Sequence, residues 1–284
     1  MDPHRTCSVV SLWTALCCAA LPSCTNVLGI EDTTLQAAQK AVASEDWSCV
    51  GQPAKAASGS QMTLAVVTAE FLSTGGTQPV PDVQVQECNR YDPTCVSPNT
   101  VGSTDAQGVL SAALTVDAKK GFDNYLQFSK PGYKTLKWFF SQPRTSSKLD
   151  MFVSMVSDMA FDGMTGALGS PADPAKGHLT YSVVTCAVDS KGAPVPAANA
   201  VVTVSPRNVE AKGYYAGSEG GFIDDTTQTK TTSMGRGAVF NLDPVTHSVS
   251  VKFAGVEVAR EQGLPIEPGT ITTIDLFPEQ TAAQ

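Results

Sequence analysis

Val66-Val67-Thr68, followed by Gly75-Gly76, Pro79-Val80-Pro81 and Val83-Gln84-Val85, is answered later by Val183-Val184-Thr185, Gly192, Pro194-Val195-Pro196 and Ala200–Val204. The same elements recur in the same order. Further along, Thr104-Asp105-Ala106-Gln107-Gly108 is answered by Thr232-Ser233-Met234-Gly235. A block that repeats at domain-like spacing marks a duplicated unit rather than one large domain. In this alignment Cys186 falls opposite Ala69.

Each block starts a series of short, β-branched or aromatic-rich runs divided by Gly, Pro, Asn and Asp. In the first series, Thr63–Phe71, Pro81–Cys88, Gly108–Val116, Tyr125–Ser129 and Thr135–Phe140 are expected as strands. In the second, Leu179–Val188, Ala200–Ser205, Thr229–Thr232, Ala238–Leu242, Ser248–Phe253 and Thr270–Leu276 are. Between them, Met151–Leu168 is apolar and Met-containing and is expected as a connecting helix. The loop Gly169–Gly177, with Pro171 and Pro174, ends it. The fold expected is all-β, two tandem immunoglobulin-like β-sandwiches, folding independently with a boundary between Pro143 and Gly177.

The glycines and prolines that open the second strand of each block, and the later Thr and Gly, resemble the carboxypeptidase regulatory-like, transthyretin-like β-sandwich family. The matching residues are Gly76, Pro79, Pro81, Thr104, Asp105 and Gly108, then Gly192, Pro194, Pro196, Thr232 and Gly235, with Ser233 in place of the second Asp. The resemblance covers Met62 to Pro278 and implies a structural or accessory module. It implies none of a carboxypeptidase's zinc ligands.

Upstream of the repeats, Val9–Leu21 is an apolar run too short to span a bilayer, which needs about 20 residues. It has the length of a signal-peptide core and closes on Ala20-Leu21-Pro22-Ser23-Cys24. A small residue before a cysteine is what a lipoprotein signal peptidase cuts, so Cys24 is the expected lipidation site, carrying diacylglycerol and an N-acyl chain such as palmitate. By analogy with known bacterial lipoproteins, Thr25 after that cysteine points to the outer membrane of a Gram-negative envelope. The organisation expected is a signal peptide over 1–23, a lipidated tether over 24–60, a first sandwich over 61–150, a connecting segment over 151–177, a second sandwich over 178–279 and a tail over 280–284. Within the tether, Thr33–Ala43 reads as a short helix. The more hydrophobic Trp47–Val50 is expected to dock on the first folded unit.

The chain has 284 residues, a net charge of −8 and 16% charged residues. It carries no Lys/Arg cluster, which argues against nucleic acid and against electrostatic docking to anionic lipid. Four cysteines follow Cys24: Cys49, Cys88, Cys95 and Cys186. An even number in an exported chain implies disulfides. Cys88 and Cys95 bracket a turn-rich hexapeptide and form the natural local pair, leaving Cys49 and Cys186. A four-cysteine zinc site is disfavoured by the lack of any C-x-x-C spacing.

No catalytic, metal or cofactor motif is present. His178 and His247 sit at strand edges outside any zinc-ligand spacing, and Gly217-Ser218-Glu219-Gly220 lacks nucleophile-elbow spacing. Asp158 with Asp162, and Asp224 with Asp225, are the nearest approach to an acid–base pair. Asp92, Asp105 and Asp123 are the nearest approach to a calcium site. The candidate binding residues are aromatic: Trp138 and Phe140, which share one strand face, and Tyr214 and Tyr215 in a long loop. They are either sandwich core or an exposed platform that stacks on a sugar or a partner. The expected function is a membrane-anchored, non-enzymatic surface lipoprotein with an adhesion, binding or structural role and an unknown protein or glycan ligand. The alternatives are an accessory carbohydrate-binding protein and an unrecognised hydrolase.

Overall fold

The computed structural model describes residues 46–281, apart from 58, 73–75, 191 and 219–220. Cys24 and the expected helix Thr33–Ala43 lie outside the described residues.

The first copy starts with β1 (Gln61–Phe71), in which Met62, Leu64 and Val66 point inward while their neighbours face out, the alternation of a half-buried strand. β2 (Thr77–Pro79), β3 (Gln84–Cys88), β4 (Asn99–Ser103), β5 (Val109–Thr115), β6 (Tyr125–Ser129), β7 (Leu136–Phe140) and β8 (Lys148–Ser154) follow. β1 pairs antiparallel with β2 and β5 and parallel with β8. β3 pairs with β4 and β6, and β6 with β7. The core between these two sheets holds Leu64, Val66, Val85, Phe128, Phe140 and Met151.

The second copy has the same plan. It runs β9 (Gly177–Val188), β10 (Pro194–Pro196), β11 (Val201–Ser205), β12 (Lys212–Ala216), β13 (Phe222–Asp224), β14 (Arg236–Leu242), β15 (Thr246–Phe253), β16 (Val256–Pro265) and β17 (Ile271–Leu276). β9 pairs antiparallel with β10 and β14 and parallel with β17, as β1 does with β2, β5 and β8. β11–β15–β16 repeats β3–β6–β7, and β12 with β13 extends the sheet beyond β14. The all-β reading and the two disulfides, Cys88–Cys95 and Cys49–Cys186, are observed.

Each copy is closed by the same hydrogen-bond lock. Thr104 Oγ1 accepts from Val83 N, Thr104 N donates to Val83 O, and Asp82 N donates to Thr104 O. Thr231 makes the same three bonds with Ala200 and Asn199. Asp82 and Asn199 are both in the left-handed region, at φ 56° and 58°. Thr68 N donates to Gly108 O in the first copy and Val183 N to Gly235 O in the second. The repeat is therefore real, but several pairings shift. Val183, not Thr185, stands where Thr68 stands, and Pro196, not Pro194, matches Pro79. Thr231, not Thr232, matches Thr104, and Cys186 falls opposite Phe71. Thr185 misleads because its hydroxyl also bonds a β10 carbonyl, at Val195.

Other expectations shift for physical reasons. Met151–Ser154 is extended, because Leu149, Met151 and Val153 alternate into the first core. The helix, α1 (Asp158–Ala167), begins only where Ser157 Oγ caps Ala160 N. Thr229–Thr232 is not a strand; Thr231 serves the lock instead. Tyr214 and Tyr215 are in β12, not a loop, and no alternation marks that strand because both its faces are covered.

The two copies are joined edge to edge. β17 pairs in parallel with β9 on one side and with β7 of the first copy on the other. One ten-stranded sheet thus runs through the molecule. One face of β7 and its neighbours packs into the first core. Phe139 and Tyr125, on the opposite face, join the core of the second copy. Trp47–Val50 docks on the second copy, not the first. Cys49 is bonded to Cys186, Trp47 lies 5.5 Å from Phe253, and Pro53 bridges to Thr281.

Two outcomes follow from this geometry. A Cβ on Gly108 would meet Thr68 O at 2.3 Å at φ +73°, and one on Gly235 would meet Val183 O at 2.5 Å at φ +61°. Gly108→Ala and Gly235→Ala should each destabilise by roughly 2–4 kcal/mol from the clash and the strained backbone. Gly132→Ala, with nothing within 4 Å at φ +80°, should lose only about 1 kcal/mol; denaturant melts compare the three, and equal losses would refute the lock. Because the copies share a sheet, we also propose that protein nicked at Lys176 keeps its halves together. Under reducing conditions, which open Cys49–Cys186, the nicked halves should co-elute in native buffer and part only in denaturant. Separation in native buffer would show two autonomous sandwiches.

Candidate functional site

Most chemistry-bearing side chains converge on the seam between the copies. The Cys88–Cys95 disulfide closes a loop whose turn is set by Asp92, which accepts from Val96 N and Thr94 Oγ1. Arg90 leaves this loop to donate to Phe140 O at 2.8 Å and to Glu261 Oε2 of β16 at 2.5 Å. Glu261 is buried, and that burial pushes its carboxyl up against the pull of Arg90. Lys137, 2% exposed, donates to Pro93 O in the same loop and pairs with Glu267 of the second copy. A buried cation is tolerated only with such partners. Tyr125 Oη donates to Asp92 O, and its ring stacks on Phe139 at 4.4 Å.

Across the other face of the seam, Trp138 Nε1 donates to Asp275 Oδ2 at 2.9 Å. Burial pushes the Asp275 carboxyl up, opposed by that bond and by Arg144 and Arg236. Arg144 lies over the ring of Phe277 at 4.1 Å. Trp138 is thus half-buried and bonded, and Phe140 is core.

A cavity of about 200 Å³ opens in the second copy beside Tyr181, Tyr215, Arg207, Asp225 and Gly213. Arg207 bonds Ala211 O and pairs with Asp225 Oδ2 at 2.5 Å. Tyr215 Oη accepts from Val202 N at 3.3 Å. Burial raises both tyrosine pKa values. The polar groups of this cavity are already bonded to one another. Tyr214 lies on the opposite face, under α1, with its hydroxyl on Leu168 O.

Of the two readings left open for these aromatic residues, sandwich core is the one observed. Phe140, Tyr214 and Tyr215 are each 3% exposed, because sheet and helix cover both faces of their strands. The carboxylate pairs are taken up by other side chains. Asp158 and Asp162 face Lys134. Asp224 accepts from Thr226, while Asp225 pairs with Arg207. Asp92, Asp105 and Asp123 sit apart: the first two accept from their own turns and Asp123 faces Arg90. Among the described residues no group of three or more His, Cys, Asp or Glu side chains is placed to hold a metal ion. Sequence reading passed over Arg90, Lys137, Glu261 and Glu267, whose partners lie about 130 to 170 positions away. For Lys137 and Glu261 the only signal was charge within a β-forming run, while Arg90 and Glu267 lie in turns.

No family model and no curated protein matches the chain. Solved structures do. One is the Bacillus anthracis TIE protein, at 15% identity over 77% of this chain and 34% of that one, TM-score 0.23. A second is 3-chlorocatechol 1,2-dioxygenase from Rhodococcus opacus 1CP, at 10% identity over 38% and 64%, TM-score 0.23. A third is a streptococcal ancillary pilin, at 9% identity over 78% and 63%, TM-score 0.22. The chain spans between about a third and two thirds of their lengths. Likeness at this level carries no conclusion about fold, substrate or partner.

His178 supplies a testable electrostatic feature. Its ring is buried 4.7 Å from Phe161, and its Nδ1 accepts from Asn241 N at 3.3 Å, which requires an unprotonated Nδ1. Burial, with Lys134 nearby, lowers its pKa to about 4. The folded value lies below the unfolded one of about 6.5, so this contribution is full above about pH 6.5 and fades as pH falls toward 4. Stability should drop by about 3 kcal/mol across that window from this group. His178→Gln should flatten the fall in chemical-denaturation curves taken from pH 7 to pH 4. An unchanged slope would show that other groups carry it.

Proposed function

We propose that this chain is a lipid-anchored protein of a bacterial outer envelope whose two carboxypeptidase regulatory-like sandwiches act as a rigid binding or structural body, without catalysis. The observation that carries this reading is the Cys49–Cys186 disulfide. It fastens the end of the N-terminal segment to the second sandwich, beside the Trp47–Phe253 contact. Closing so long a loop stabilises by about 5 kcal/mol in the chain-entropy model and belongs to an oxidising compartment. A leader ending in a covalent clamp is the arrangement a tethered body needs. Among the described residues no helix is long and apolar enough to cross a membrane, so the attachment in this reading is the lipid on Cys24. Three acyl chains at about 0.8 kcal/mol per buried CH₂ make such anchoring effectively permanent.

The carbohydrate-binding alternative loses its motivating feature, since the rings that were to form its platform are core. A hydrolase would need carboxylates that converge in a cleft; Asp158 and Asp162 are exposed around one cation, Lys134, and Asp224 and Asp225 are held by Thr226 and Arg207.

Expression in a Gram-negative host tests the anchor. The mature N-terminal peptide should begin at Cys24 and carry the mass of a triacylated cysteine, and the protein should partition into the detergent phase. Cys24→Ala should move it wholly to the aqueous phase. A lipid-free Cys24, or a mature N-terminus beyond it, would leave a secreted protein without an anchor.

A further inference from the structure

The duplication exposes an asymmetry between equivalent edges. β8 holds in the first copy the place that β17 holds in the second: Leu149, Met151 and Val153 match Thr272, Ile274 and Leu276, all turned toward a sandwich core. The outer edge of β17 is filled in parallel by β7. The outer edge of β8 pairs with no strand among the described residues. Thr63 N donates to Ser147 O and Met155 N to Ala69 O. The two-residue rhythm of a parallel ladder therefore aims the backbone groups of Leu149, Met151 and Val153 at β1 and those of Asp150, Phe152 and Ser154 outward.

A second observation points the same way. Val109, Val67 and Phe152 lie in one cross-strand row on the outer face of this sheet and are 40%, 41% and 49% exposed. Phe71 adds its ring 5.9 Å from Phe152. The corresponding face of the second copy is covered by α1 through Phe161. The row ends at the open edge. At the filled edge the residue matching Phe152 is Asp275, and its partner on β7 is Phe140.

We propose that the β8 edge and the Val109–Val67–Phe152 row dock, in parallel, an edge strand of another protein chain: a strand of the β7 kind, with aromatic residues where β7 has Trp138 and Phe140. The incoming aromatic at the Phe140 position continues the apolar row beside Phe152, and the outward amides of Asp150, Phe152 and Ser154 supply the ladder. A second copy of this chain is not the occupant. Its own β7 is engaged by β17. Its β7 equivalent, β16, is plugged at Val258 O by Glu279 N and at Glu261 by Arg90. The proposal extends the binding role above and is independent of the lipid.

The probe is a synthetic peptide of residues Thr135–Gln142, added to the full chain, with hydrogen exchange read residue by residue. The amides of Asp150, Phe152 and Ser154 should slow by roughly tenfold or more, and a scrambled peptide should leave them unchanged. Phe152→Pro removes an outward amide without touching the bonds to β1 and should abolish the protection. Continued protection of Leu149, Met151 and Val153 shows that this variant is folded. Should it unfold, Phe152→Asp, which keeps the backbone and repels the apolar row, should weaken peptide binding at least tenfold. Three results would overturn the proposal: no slowing at those amides, protection in the free chain that vanishes when residues 25–45 are deleted, or protection that appears only with concentration-dependent dimerisation. A Cys24→Ala chain that binds the peptide yet fails to partition into detergent separates this proposal from the anchoring one.

Discussion

β17 is hydrogen-bonded in parallel on both sides, to β9 of its own copy and to β7 of the other, and the arrangement of the molecule depends on that strand. It is the last strand of the fold, so the central sheet is complete only when the chain has returned across both copies. Parallel pairing at such separation is an expensive closure in entropy. It is offset by burial on both faces: Ile274 and Leu276 enter one core and Ile271 another. The seam is then fixed by groups that each cross it, Arg90 to Glu261, Lys137 to Glu267 and Trp138 to Asp275.

This use of polar residues explains why so little chemistry is visible. Charged and aromatic side chains that look functional in a list have been committed to joining two sandwiches. Arg90 and Lys137 are desolvated cations, and removing Arg90 would strand the buried Glu261 carboxylate, a loss larger than any gain the pair makes over apolar replacement. Tyr125 spends its hydroxyl on the backbone of the disulfide loop and its ring on Phe139. The cavity near Arg207 is the same case in miniature, its cation and carboxylate already paired.

Local alternation made β1 and β15 legible in sequence, because one face of each is core and the other is not. The recurrence of Pro-Val-Pro and of Thr before Gly revealed the duplication. It did so two residues out of register near Thr68, since side-chain identity at Thr185 imitated a role that belongs to the backbone at Val183. β12 was misread as a loop because burial on both faces erases the pattern by which a strand is recognised. Nothing local could place Trp47 on the second copy either, as that depends on Cys186, 137 positions beyond Cys49. Pair identity by elimination reached the bond, but not what it does to the tether.

The contrast between β8 and β17 is where duplication and divergence meet. In the filled edge the outward row begins Ile271 and Thr273; in the open edge the matching residues are Lys148 and Asp150, 2.8 Å apart as an exposed ion pair. Charges of this kind on an edge strand discourage indiscriminate sheet extension. Phe152 breaks that rule, since an exposed ring on an edge is an aggregation liability unless something covers it. Two charges that reject generic strands, followed by one ring that favours an aromatic neighbour, form a selective edge rather than a merely protected one. The same scaffold position has thus been kept sticky in one copy, where the partner is in the chain, and made discriminating in the other.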